Sequence, residues 1–159
     1  MPIDSQTFRA AMGRLVAGVT VLAARERDGG LIGMTASAVT SLSLDPPMLL
    51  ACIGHAAAAH QALTQGDRFS VNVLATEQQE LSGRFASREP QRFDGIACDV
   101  TPSGLPWLRG ALACLECRRD AVHEGGDHSI VTGVIEWVQV GDGDPLLYFL
   151  GGYRRIGAS

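Results

Sequence analysis

Apolar positions recur at helical spacing near the start of the chain, where Phe8, Met12, Leu15 and Val16 share one face after Asp4. This predicts a short amphipathic helix within residues 4–17, capped by Asp4 and closing one end of a barrel or sheet. From Val19 the pattern turns β-rich. Residues 19–24 and 31–34, joined by the turn signal Asp28-Gly29-Gly30, predict a hairpin. Residues 38–44 predict a strand ended by Asp45-Pro46-Pro47, and 48–53 a buried strand. An alanine-rich helix is expected over 56–65, stopped by Gly66, and a strand over 69–74. Thr76-Glu77-Gln78-Gln79 has capping-box spacing and opens a second clear helix carrying Leu81 and Phe85. Residues 87–110 hold Gly and Pro with little periodicity and predict a long, functional excursion with at most a short strand at 97–100. Three β-like runs follow, over 111–122, 129–140 and 146–150. Many strands, few helices and no βαβ alternation predict a mainly β single domain over residues 1–159, a mostly antiparallel β-barrel with a few helices.

Length agrees with one domain, since 159 residues suffice for one core. A net charge of −4 argues against a nucleic-acid partner, which calls for a basic face. No charged start with an apolar run and no long apolar stretch occurs, so no membrane span and a cytoplasmic location are expected. Cys52, Cys98, Cys114 and Cys117 are then expected as reduced thiols. Cys114 and Cys117 have metal or redox spacing, but no second pair completes a site, and along a strand they face opposite ways, which predicts two small half-buried residues and no metal. All 13 basic residues are arginine. Schiff-base chemistry, pyridoxal phosphate attachment and a P-loop, each needing a lysine amine, are thereby excluded.

The chain has no G-x-S-x-G elbow and no H-E-x-x-H, and its histidines, at 55, 60, 123 and 128, lie in separate segments. Nor does it contain G-x-G-x-x-G, so a dinucleotide must be held without a Rossmann turn. The conspicuous stretch is Gly33-Met34-Thr35-Ala36-Ser37-Ala38-Val39-Thr40-Ser41-Leu42. Small side chains let a planar ligand or phosphate approach the backbone, and hydroxyls give directional bonds without charge. The same run also reads as a Ser/Thr-rich edge strand.

This run, continued by Ser41-Leu42-Ser43-Leu44-Asp45-Pro46-Pro47-Met48-Leu49-Leu50-Ala51-Cys52, resembles the short-chain flavin reductase family, the reductase components of two-component flavin-dependent monooxygenases. The likeness continues in the family's order through Phe69 to Leu74, Gln78 to Ala86, Gly126-Asp127-His128-Ser129-Ile130, and Pro145 to Tyr148 running on to Gly151-Gly152-Tyr153-Arg154. It implies an antiparallel Greek-key split β-barrel of the FMN-binding type, a homodimer, with FMN or FAD near the subunit interface. Residue by residue it implies that Thr35, Ala36, Ser37 and Ala38, with Ser41 and Leu42, line the flavin. Ala51, Cys52 and Ile53 run past its ring, and the segment from Gly54 through Ala57 and Ala58 to His60 meets its phosphate. In that segment the chain departs from the family, having alanines where members carry hydroxyl or basic side chains, so flavin affinity is expected to be modest. Arg84 offers a positive charge or simply a cation at a helix C-terminus. Phe85 offers a stacking ring or a core residue. His128 is implied to contact the nicotinamide dinucleotide, and otherwise is a solvated loop-end residue; Tyr153 is implied to lie near it, and otherwise covers core. Trp107 and Trp137 are assigned to packing.

The implied activity is hydride transfer from NADH, or NADPH, to flavin, which then leaves for a partner monooxygenase. Such a transfer needs no general base, only two rings held about 3 to 3.5 Å apart in a dry cleft. NADH is the expected donor because no arginine cluster lies beside His128. The rival readings are a flavoprotein that keeps FMN and reduces another substrate, and a non-catalytic flavin-binding protein.

Overall fold

A computed structural model describes residues 1–157. The chain runs α1 (Ser5–Met12), β1 (Ala17–Gly18), β2 (Thr20–Arg25), β3 (Leu31–Ala36), β4 (Val39–Leu44), β5 (Pro47–Gly54), α2 (His60–Gln65), β6 (Arg68–Val73), α3 (Gln79–Ala86), β7 (Cys98–Val100), β8 (Pro106–Leu108), β9 (Ala113–Gly125), β10 (His128–Val140), β11 (Leu147–Phe149) and β12 (Gly152–Arg154). The main sheet has the antiparallel order β3-β2-β6-β9-β10-β5-β4. Its two outer strands are consecutive in the chain, with only Ser37 and Ala38 between them. Three Cα steps span at most ~11 Å, so the sheet must curl until its edges nearly meet. The molecule is therefore a split β-barrel, and Ser37-Ala38 bridges the split.

Inside the barrel Leu22, Leu49, Ala51, Ile53, Phe69, Val71, Cys117 and Val131 form the main core. The centre is tight at Gly133: a Cβ there would sit 2.7 Å from Phe69 Cζ and 2.9 Å from Cys117 Cβ, so the phenyl ring fills the axis only because the strand carries no side chain. A second core lies outside β2, where Val19, Val21, Leu74, Phe85, Leu108 and Leu146 pack under α3 and the 87–110 excursion. Residues 20–24 of β2 are buried on both faces as a result, which explains the unbroken apolar run.

Several expectations change. The helix expected over 56–65 starts only at His60, because the N–H groups of His55, Ala57 and His60 are drawn into turns on Asp127, Gly54 and Ala57 carbonyls. In the Thr76–Gln79 capping box it is Gln78 that works: its Oε1 accepts from the Ala75 N–H at 2.9 Å, and a 3₁₀ turn over Thr76–Gln78 precedes α3. The excursion contains two paired strands, β7 and β8, and the short β1 and β12, too short to show a period, flank β11. Asp4 does cap α1, accepting from the Thr7 N–H at 2.8 Å. The helix ends at Met12, leaving Leu15 and Val16 outside it, and it does not close the barrel: no residue of α1 is buried, and Phe8 and Met12 are 54% and 48% exposed. Cys114 and Cys117 are fully buried, not half-buried, and burial first of all pushes both thiols up to about 12, so neither is a ready ligand or nucleophile.

Candidate functional site

The split brings together segments that are distant in sequence. Ser37 and Ala38 are exposed at the corner, and the Ala38 carbonyl accepts from the Cys52 N–H at 2.9 Å. Alternation along β5 sends Leu49, Ala51 and Ile53 into the core and leaves Cys52 and Gly54 half-buried on the other face. There Cys52 pairs with Ile130, and Gly54 pairs with His128, the first residue of β10. A Cβ on Gly54 would lie 3.5 Å from His128 Nε2. Beyond Gly54 the chain turns through exposed Ala56 and Ala58.

The shelf formed by Ser37, Ala38, Cys52, Gly54, Ala57 and Ala58 is thus small-sided, with backbone close to the surface. It fits a planar heteroaromatic ring, whose face needs contact and whose edge needs backbone partners. At its end, His128 Nδ1 lies 2.6 Å from Asp127 Oδ1. A ring nitrogen facing a carboxylate holds the proton, which leaves Nε2 as the atom presented over Gly54. The bond to His128, and then the charge of His128, hold the exposed Asp127 carboxyl below its ordinary value.

Other expected site residues stand apart from this shelf. Thr35 donates its hydroxyl to the Ser82 carbonyl at 2.6 Å, fastening β3 to α3, and Ala36 is buried in the core. Ser41 and Leu42 are exposed on β4, where a bulge interrupts the register between Ser41 and Ser43. His60 Nε2 is 2.9 Å from the buried Ser129 Oγ, so its ring is engaged within the fold and is not open to a phosphate. His55 pairs with Glu124 at 3.3 Å. Arg84 is spent on the carbonyls of Gln91 and Asp94. Phe85 is 1% exposed and packs edge-on against Phe93 in the second core. Tyr153 packs on the second core, its hydroxyl 2.7 Å from Ser82 Oγ and its ring against Tyr148. His128 and Tyr153 are therefore not neighbours in one site within this chain.

Two features escaped sequence reasoning. Asp127 sits beside His128 in sequence, but only the fold shows that its carboxylate meets Nδ1 and orients the ring. The segment after α3, part of the excursion expected to be functional, forms one wall of a cleft of about 470 Å³, facing Leu31, Ile32, Gly33 and Ala58; the part of it not anticipated is that cleft. Its signal was the run of arginines at 84, 88 and 92 inside an otherwise aperiodic stretch. Among the described residues no group of three or more His, Cys, Asp or Glu is placed to hold a metal, and no helix is long and apolar enough to cross a membrane.

Residues 12–157 match the family described as flavin reductase like domain. The chain belongs to the flavin reductase family. It is 38% identical over 153 residues to "FMN reductase (NADH) SmoA" of Agrobacterium fabrum, covering 96% of this chain and 87% of that protein. It is 40% identical to the "4-hydroxyphenylacetate 3-monooxygenase, reductase component" of Thermus thermophilus, covering 95% and 96%. Among solved structures it superimposes on the Streptomyces globisporus NADH:FAD oxidoreductase SgcE6, in complex with NAD and FAD fragments, with a TM-score of 0.91 at 33% identity, covering 99% and 97%. The antiparallel split barrel of this flavin reductase domain is thus the fold of its relatives.

Proposed function

We propose that this chain is an NADH-dependent flavin reductase that reduces FMN or FAD and releases the product to a partner flavin-dependent monooxygenase. The observation that carries the reading is the small-sided shelf across the barrel split, with His128 over Gly54 at its end, in a chain whose relatives include reductase components of monooxygenases. When bound, flavin supplies the two-electron acceptor to which a nicotinamide passes hydride.

The chain's own part is to bind and orient. Ser37 and Ala38 offer an uncrowded surface and backbone groups to one edge of the ring. Cys52 and Gly54 support it from the strand, and Ala57 and Ala58 border the phosphate with backbone alone. His128, its ring fixed by Asp127, is the residue assigned to contact the nicotinamide dinucleotide. Around it Asp127 and Glu124 are acidic, which disfavours the 2′-phosphate of NADPH and supports NADH as the donor. The absence of basic or hydroxyl side chains at residues 56–59 supports modest affinity and so a diffusible flavin. The exposed apolar side of α1 supports a homodimer, and four cysteines that form no disulfide among the described residues support a cytoplasmic setting.

The test is NADH oxidation by purified protein with and without added FMN, FAD or riboflavin. Turnover that depends on added flavin, with colourless protein, is the expected result. Yellow protein with stoichiometric flavin and no response to added flavin would point to a prosthetic-group enzyme, and no NADH oxidation at all to a binding protein.

A further inference from the structure

We propose that His60 is a positioning residue for the nicotinamide dinucleotide: through Ser129 it moors the end of the β9–β10 hairpin, which carries His128, to the turn over residues 54–60. This inference rests on the flavin reductase reading above and names a residue that acts on its nicotinamide side without touching the dinucleotide.

The hairpin end is built to need such a mooring. Glu124, Gly125, Gly126 and Asp127 are all exposed, and two adjacent glycines, the second at a φ of 74°, leave the backbone between β9 and β10 much conformational freedom. The facing turn is firm by contrast. The Gly54 carbonyl accepts from the Ala57 N–H at 3.0 Å and the Ala57 carbonyl from the His60 N–H at 2.9 Å, while Ala59 and Leu63 are buried in the main core. Three contacts join this firm side to the loose one. The His55 N–H donates to the Asp127 carbonyl at 3.0 Å, His55 Nε2 lies 3.3 Å from Glu124 Oε2, and His60 Nε2 lies 2.9 Å from Ser129 Oγ.

The three are unequal. Both side chains of the His55–Glu124 pair are exposed, and an ion pair in water contributes little. The His60–Ser129 bond is the sequestered one: Ser129 is 2% exposed, the His60 ring is half-buried, and the His55 ring packs edge-on against it with centroids 5.3 Å apart. Either imidazole tautomer serves, because a hydroxyl can donate or accept. Ser129 follows His128 on β10, and strand alternation sends the serine inward to His60 and leaves the histidine exposed over Gly54. Holding Ser129 therefore sets the end of the strand, and with it His128, from the face opposite to the shelf. When the bond is lost the glycine turn shifts, since the 54–60 side keeps its own bonds and its place in the core.

The experiment reads the two cofactors separately. Wild type, His60→Ala, Ser129→Ala, the double variant and His60→Gln are compared by steady-state kinetics with FMN as acceptor, by FMN titration without NADH, and by hydrogen exchange of residues 123–130. His60→Ala and Ser129→Ala should each speed exchange in that segment about fivefold and lower kcat/KM for NADH about fivefold to tenfold, mainly through KM, with FMN affinity kept within about twofold. The double variant should be no worse than either single one, because both remove the same bond. His60→Gln, whose amide also donates or accepts, should bring all three readouts back to within about twofold of wild type. Ser129→Ala reaches the bond from the strand, so the test stands even where His60→Ala does not fold. Loss of FMN affinity in step with kcat/KM would assign His60 to the flavin and overturn the proposal. Unchanged NADH kinetics, with or without faster exchange, additive single variants, or no recovery in His60→Gln would overturn it as well. A wild-type chain that binds FMN yet oxidises no NADH sinks the flavin reductase reading, and the proposal with it.

Discussion

At the scale of single residues, the candidate site depends on which atoms are left uncommitted. His128 and His60 are both histidines near the end of the β5–β10 pair, yet Ser129 engages the Nε2 of His60 while His128 presents its Nε2 over Gly54. If His128 orients the nicotinamide, His128→Ala should lower kcat/KM for NADH about tenfold to hundredfold, the scale on which misplacement of reacting groups is felt. Flavin affinity and thermal stability should stay nearly unchanged, because it is the 37–38 and 52–58 segments that are proposed to hold the flavin. Steady-state kinetics together with flavin titration check this. Unchanged turnover would make His128 a polar loop residue, and collapse of flavin binding would put it in the flavin site.

Among the elements, the 101–105 segment shows how an irregular stretch is fastened to the barrel. Glu116 on β9 is only 2% exposed; its carboxylate accepts from Arg68 at 3.0 Å and from the Ser103 hydroxyl and N–H at 2.7 and 3.1 Å. Burial acts to raise this carboxyl, but the bonds from Thr101 and Ser103 and the charge of Arg68 outweigh it, so it titrates below the ordinary 4.5. A group whose pKa is lowered by folding stabilises the protein fully above its unfolded value and loses that contribution as pH falls through the folded one. Glu116→Gln, which turns an acceptor into a donor facing Ser103 or Arg68, should therefore cost about 1–3 kcal/mol near pH 7. The gap from wild type should shrink as pH drops below about 4.5, the unperturbed carboxyl value. Thermal or denaturant melts across that range measure it; a gap that does not change with pH would assign the loss to packing and not to charge.

For the whole molecule, the exposed apolar side of α1 is the conspicuous feature. Phe8 and Met12 on α1 and Leu15 and Val16 in the segment just after it are 54%, 48%, 68% and 53% exposed, and the segment is moored where the Leu150 N–H bonds the Gly13 carbonyl at 2.8 Å. An exposed apolar patch of this kind suits burial against another surface, and a second copy is the occupant proposed here. Light scattering at micromolar concentration should give twice the chain mass, and Leu15→Asp should shift the mass toward the monomer and lower turnover. A wild-type monomer would count against the homodimer.

The strands were legible because β-branched runs bounded by Gly and Pro carry their own period, and the Ser37-Ala38 corner because small polar residues between two strands mark surface backbone. The capping role of Asp4 and the loop-end place of His128 are likewise local properties, set by immediate neighbours. What the sequence could not determine was commitment across the fold. Whether Thr35 faces a ligand or Ser82, whether Phe85 stacks or packs, and whether Arg84 meets an anion or two carbonyls depends on which side of β3 the third helix settles, a choice made by the second core. Short strands such as β7, β8 and β12 exist only because a partner strand pairs with them. The site itself is a tertiary product: residues 37–38, 52–58 and 128 meet because a seven-stranded sheet with its outer strands two residues apart has to curl, and only that closure brings the histidine to the end of the shelf.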